Sequence, residues 1–177
     1  LDVGASTGGF TDVLLRRGAR HVVALDVASG ELHPRLRDDP RVTVVDRSNA
    51  REVVPEKLPY RPDLLVADVS FISLKKVLPS VLACAADEFD CLALVKPQFE
   101  VGRERVGKGG VVRDADDRRA ALVDVGEAAR GFDCSVLGFA SSGLPGPAGN
   151  QETFIWLAPG SRKGVDDMQV AARRVEP

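Results

Sequence analysis

Two short apolar runs in this sequence each end in a single charged residue. Leu64-Leu65-Val66-Ala67 leads into Asp68, and Leu92-Ala93-Leu94-Val95 leads into Lys96. Runs of this length, spaced by helical pattern, predict buried parallel strands. Ligands of an open α/β sheet bind in the crevice outside the carboxyl ends of its strands, so an acid and an amine are expected to face one site. Such a pair can orient a weakly acidic group and move its proton. A glycine-rich turn, Asp2-Val3-Gly4-Ala5-Ser6-Thr7-Gly8-Gly9-Phe10, lies ahead of both and also follows an apolar start. A cofactor turn combined with charged strand ends points to an enzyme rather than a scaffold.

The turn has a particular chemistry. Glycine alone tolerates positive φ and close backbone approach without cost. The dinucleotide pattern GxGxxG is not met, because Ser6 stands where the second glycine would be and Gly8-Gly9 are adjacent. That weakens a pyrophosphate reading. S-adenosylmethionine has no pyrophosphate, and a loop that cradles it must hold a methionine part and an adenosine. The candidate contacts in the turn are Asp2, Gly4, Ala5, Ser6, Gly8, Gly9 and Phe10. Asp26 ends the second strand and is placed to accept hydrogen bonds from two ribose hydroxyls. Asp46 and Asn49 follow the third strand within reach of an adenine, and Asp68 closes the set. The competing reading is a turn that merely joins strand to helix.

The elements that must position these residues alternate along the chain. Strand signals fall at 1–3, 22–25, 42–45, 64–68, 91–96, 136–140 and 152–157. Helical signals run from near Gly8 to Gly18 and from Asp114 or Asp116 to Arg130. Between them, Leu74, Val77, Leu78, Val81 and Leu82 have helical spacing. The last two strands are joined by a short Gly/Pro-rich turn, which favours antiparallel pairing because parallel strands need a crossover. The expected fold class is α/β: a Rossmann-like seven-stranded sheet of the class I methyltransferase kind, mostly parallel with an antiparallel last strand. Residues 97–113 read as a mobile, basic, glycine-rich loop, and the residues beyond Gly160 as a polar, weakly structured tail. The chain has no initiator Met and opens inside a strand, so a longer protein with a domain upstream is expected.

Composition bounds the function. The 177 residues, 44% hydrophobic and 28% charged, suit one globular domain. A net charge of −2 gives no global attraction to nucleic acid. Cys84, Cys91 and Cys134 show no metal-ligand spacing, and three cysteines, two of them in apolar runs, suit a reduced, cytoplasmic protein. No apolar run approaches the ~18 residues of a membrane span. His21 and His33 are isolated and read as structural or surface residues.

The strings LDVGASTGGFTD, ADVSFISL, LVKPQFE and GNQETF resemble the TlyA (haemolysin A-like) family of ribosomal RNA methyltransferases, which is similar to the FtsJ class of RNA ribose 2′-O-methyltransferases. The resemblance covers nearly the whole chain in order. It implies an S-adenosylmethionine-dependent domain over 1–160, truncated at its N-terminal edge, and a tail at 161–177. It also implies transfer of a methyl group to a ribose 2′-hydroxyl, cytidine being the expected target. The FtsJ class uses a Lys-Asp-Lys-Glu tetrad; Asp68, Lys96 and Glu152 match its last three members. The first Lys would lie before the first strand. The resemblance further implies ribosomal RNA or ribosomal subunits as partner and an S4-like RNA-binding domain upstream.

The residues make sense of that reaction. Lys96 could orient the hydroxyl and accept its proton, with Asp68 and Glu152 holding the lysine and the ribose in line; surface ion pairs are the competing reading. Base-amino methylation is disfavoured, because Asp68 is followed by Val69-Ser70-Phe71 rather than Pro-Pro-Tyr. No cysteine closes a strand as cytosine C5 chemistry requires. Arg103, Arg105, Lys108 and Arg113 could contact RNA phosphates or simply be solvated. Phe99 could stack on a base or belong to the core. A catalytically silent cofactor- and ribosome-binding module and a membrane-lytic protein are the alternatives from other classes.

Overall fold

The structure is a computed structural model and describes residues 1–176. Its strands are β1 (Asp2–Val3), β2 (Val22–Leu25), β3 (Val42–Val45), β4 (Leu64–Ala67), β5 (Asp90–Val95), β6 (Cys134–Pro145) and β7 (Gln151–Pro159). Its helices are α1 (Gly9–Arg16), α2 (Pro34–Arg37), α3 (Leu74–Ala83), α4 (Pro97–Glu100), α5 (Ala115–Arg130) and α6 (Met168–Val175). The seven strands form one sheet in the order β3-β2-β1-β4-β5-β7-β6. The first five are parallel, and β7 runs antiparallel to both β5 and β6. This is the expected α/β sheet.

The parallel strands are apolar because helices cover both their faces. Val3, Leu25, Leu65, Ala93, Val95, Ile155 and Leu157 are fully or almost fully buried in one large cluster with Leu74, Leu78 and Val81 of α3 and Leu122 and Val125 of α5. On the other face Ala5, Ala24 and Leu32 form a small cluster with Leu36. The order of strands reverses at β1, which pairs with β2 on one side and β4 on the other. That reversal opens a crevice at the carboxyl ends of the strands.

Two expectations about local structure need correction. The expected tail at 161–177 is not weakly structured over its described residues, 161–176, residue 177 lying outside them: Met168–Val175 is α6, capped by Asp167, whose carboxylate accepts from the Val170 N–H. Met168 and Ala172 are buried against α5, and a Cβ at Gly126 would lie 2.7 Å from Met168 Sδ. Glycine there creates the notch that seats the methionine. The signal is weak in sequence because the segment is short and Val170, an apolar residue off the buried face, blurs the periodicity of Met168, Ala172 and Val175. The second correction concerns 97–113. Its first half is α4 and a 3-10 turn at Arg103–Arg105. Its second half is pinned by Asn150, which accepts from the Val112 N–H and donates to the Gly110 carbonyl. Among the described residues, no helix is long and apolar enough to cross a membrane.

Candidate functional site

The turn after β1 is shaped by glycine. Gly4 has φ +80°, and a Cβ there would lie 3.1 Å from the Asp68 carbonyl carbon and nearer still to its oxygen. The turn therefore runs directly against the end of β4. Ser6 also has positive φ, and its N–H donates to Asp26 Oδ2 at 2.8 Å while the Ala28 N–H donates to Oδ1 at 2.8 Å. Both Asp26 oxygens are thus held by backbone, which fixes the carboxylate's orientation and leaves lone pairs free. Gly4, Ser6, Asp26, Asn49, Asp68 and Phe99 line one cavity of about 740 Å³ at the switch point.

The other turn residues stand elsewhere. Asp2 is fully buried, with Oδ2 accepting from Thr11 Oγ1 at 2.7 Å and Oδ1 lacking any partner. Burial pushes its carboxyl above the usual carboxylate range. Asp2 anchors α1 beneath the turn and does not reach the cavity. Ala5 is buried against α2's end of the sheet, and Phe10 packs edge-on against Phe154. Gly8 and Gly9 line a different cavity of about 720 Å³ between α1 and α2, with Arg16, His33, Arg35 and Arg41. Asp46 is occupied: Ser29 Oγ, the Gly30 N–H and Arg37 all donate to it. Asn49 reaches the cavity, but its side-chain oxygen caps the 3-10 turn at Ala50–Glu52 by accepting from the Arg51 N–H.

The charged strand ends meet as expected. Lys96 Nζ lies 2.6 Å from Asp68 Oδ1 and donates to Ser70 Oγ at 3.1 Å. The lysine side chain is 11% exposed and that of Asp68 38%, so the pair sits at the cavity's rim with the ammonium largely covered. Glu152 follows from sheet register: Val95 pairs with Thr153, and the next positions in line are Lys96 and Glu152. Its carboxylate makes no ion pair with Lys96, and Oε1 is buried without a partner. That oxygen lies against the Gly146 turn, and a buried carboxylate oxygen without a partner is a costly arrangement in a folded core.

Phe71 was missed in the sequence. It is 91% exposed, has φ +63°, and its ring lies 5.3 Å from that of Phe99. A bulky residue at positive φ is strained, and strain of this kind collects at ligand sites. Glu100 and Ser70 were missed as well; only their place beside Asp68 and Lys96 in the two strings marked them. Of the basic loop residues, Arg103 and Lys108 are exposed. Arg105 pairs with Asp117 on α5, and Arg113 folds back to donate to the Lys108 carbonyl. His21 bonds Thr43 and His33 caps α2. Burial pushes the Cys91 thiol up to about 12 and that of Cys134 to about 11, so neither is poised as a nucleophile at neutral pH.

Residues 1–158 match the family described as FtsJ-like methyltransferase. Over 172 residues the chain is 52% identical to the 16S/23S rRNA (cytidine-2′-O)-methyltransferase TlyA of Mycobacterium tuberculosis, covering 94% of this chain and 64% of that protein. It is 34% identical over 157 residues to the 23S rRNA (cytidine-2′-O)-methyltransferase TlyA of Campylobacter jejuni, covering 88% of this chain and 60% of that one. The chain thus spans less than two thirds of the length of these curated relatives. A solved Lactococcus lactis protein, provisionally named a hemolysin, superposes with a TM-score of 0.91 at 37% identity, covering 98% of this chain and 85% of that one. With that match along nearly all of its length, and with an acid, a lysine and a glycine turn gathered at one crevice, the chain belongs to the FtsJ-like methyltransferase family.

Proposed function

We propose that this chain is the catalytic part of an S-adenosylmethionine-dependent ribosomal RNA ribose 2′-O-methyltransferase, with cytidine as the target its relatives' names suggest. The observation that carries this reading is the Lys96–Asp68 pair at the rim of a cavity that Asp26 also lines. The cavity fits the cofactor. Gly4 leaves a cradle that a Cβ would fill, and Asp26 offers a fixed pair of acceptor oxygens suited to vicinal hydroxyls. Gly4, Ser6, Asp26, Asn49 and Asp68 would hold S-adenosylmethionine, whose sulfonium supplies an electrophilic methyl group.

The chain's own residues have the remaining work. Lys96 holds the ribose hydroxyl and, in its amine form, takes its proton as the oxygen gains the methyl. Asp68 and Ser70 fix the lysine, and we assign Glu152 to holding the ribose. Phe71 and Phe99 offer aromatic faces at the mouth, on which a base can stack. Transfer of this kind depends chiefly on alignment. Arg103, Lys108 and Arg113 supply local phosphate contacts. With a net charge of −2, this chain is expected to bind RNA weakly by itself. The setting is the cytoplasm, where ribosomes and reduced cysteines occur together.

The test is Lys96→Ala. Methyl transfer to ribosomal RNA is expected to fall by about 100-fold or more, while S-adenosylmethionine binding by calorimetry stays near wild type. Loss of both would make Lys96 structural, and binding of NAD in place of S-adenosylmethionine would overturn the reading altogether.

A further inference from the structure

Sheet register fixes β4 against β5 only as far as Ala67 and Ala93. Beyond it, Asp68 enters an irregular loop that ends at α3, and Lys96 enters α4. Something other than the sheet must set the lysine against the aspartate. The far ends of these two segments are joined by one side chain. Glu100, the last residue of α4, accepts from Ser73 Oγ at 2.6 Å through Oε2 and from the Leu74 N–H at 2.7 Å through Oε1. The segments 68–74 and 96–100 therefore close a ring. The Lys96–Asp68 and Lys96–Ser70 contacts seal one end, the Glu100 carboxylate seals the other, and Phe71 against Phe99 lies between.

We propose that Glu100 is a positioning residue for the reactive pair: it staples the helix after Lys96 to the loop after Asp68. The inference rests on the reading of Lys96 and Asp68 given above. Two further observations favour this role over simple helix capping. Helix α3 already has its own cap, since Ser73 Oγ accepts from the Lys75 N–H. The placement is also costly, because burial pushes the Glu100 carboxyl upward and its hydrogen bonds work against that rise. A residue that only closed a helix end would not need a half-buried charge reaching across from a second element.

The experiment compares Glu100→Ala with Glu100→Gln in otherwise unchanged protein. Glutamine can still accept from the Leu74 N–H and can donate to Ser73 Oγ, so it preserves the staple. Methyl transfer to ribosomal RNA, S-adenosylmethionine binding, and the acetylation rate of Lys96 relative to Lys57 by mass spectrometry are measured on each. Glu100→Ala is expected to lower kcat by about 100-fold, the cost of misplacing a reacting group by about 1 Å. Cofactor affinity should be unchanged, and Lys96 acetylation should rise as its covered ammonium is released. Glu100→Gln should restore both readouts. Wild-type kcat and Lys96 reactivity in Glu100→Ala would overturn the proposal, as would a Gln variant as damaged as the Ala variant. If the wild-type protein transfers no methyl group while Lys96 reactivity changes as expected, the staple stands and the assigned reaction falls.

Discussion

Two glycines of the same turn should respond in opposite ways to one added methyl group. At Gly4 the backbone has φ +80°, and an alanine Cβ would fall onto the Asp68 carbonyl, with Val69 Cγ1 a further 3.4 Å neighbour. A side chain in that conformation costs about 1–3 kcal/mol, and forcing backbone away from backbone in a packed region costs about 1–3 kcal/mol more. The combined cost of about 2–6 kcal/mol is a large part of a typical domain's stability. At about 2–4 °C per kcal/mol for a chain of this size, Gly4→Ala should lower Tm by roughly 5–20 °C. If the turn yields by lifting off β4 instead, the same strain appears as weakened cofactor binding, about 30-fold for each 2 kcal/mol. Gly9→Ala meets nothing within 4 Å, has ordinary φ, and sits at the first position of α1. It should hold or gain up to about 1 kcal/mol. Scanning calorimetry and a titration with S-adenosylmethionine on both variants decide the matter. Wild-type Tm and affinity in Gly4→Ala, or equal damage in Gly9→Ala, would refute the account of how this turn is built.

Two further outcomes follow from buried charge. Glu176 and Arg118 are paired at 2.9 Å with side chains only 7% and 14% exposed; Glu176→Ala strands the guanidinium and should cost about 3 kcal/mol, seen as a Tm roughly 10 °C lower. An unchanged Tm would show that the pair is dispensable. Asp2 titrates above the carboxylate range in the folded protein. The folded state therefore keeps its proton over a window where the unfolded state has lost it, so this group's contribution to stability falls as pH rises through that window and is level above it. Asp2→Asn should remove that slope: urea midpoints of the two proteins should agree in acid and diverge in favour of Asn as pH rises from the ordinary carboxylate range. Parallel curves would place the Asp2 carboxyl at its ordinary value.

The parallel strands were legible because each is short, apolar and bounded by a charged or glycine residue, and that alone put Asp68 and Lys96 at neighbouring strand ends. Asp26 was legible for the same reason. Gly8, Gly9 and Asp46 do not line the cavity that Asp26 lines, because motif spacing says which residues share a turn and says nothing of which side of it each one faces; Asp46 instead accepts from Gly30 and Arg37. Phe71 was hidden because an exposed aromatic is read from sequence as core, and only its left-handed backbone turns it outward. Helix α6 was hidden because its docking depends on a glycine notch in α5, some forty positions earlier in the chain.

That notch has a practical consequence. The sequence contains one methionine, and its thioether fills the space that Gly126 leaves open. The helix it anchors carries Glu176 at its end, whose partner Arg118 donates to the carbonyls of Val112 and Arg113, where the basic loop closes. A carbon-13 label on that single methyl group therefore gives one resonance, free of overlap, at the far end of a chain of contacts leading to the basic loop. Its line shape registers undocking of the terminal helix without any probe being introduced near the reacting groups. Oxidation of its sulfur to the sulfoxide, which replaces an apolar group with a polar one, would close that window and unseat the helix at the same stroke.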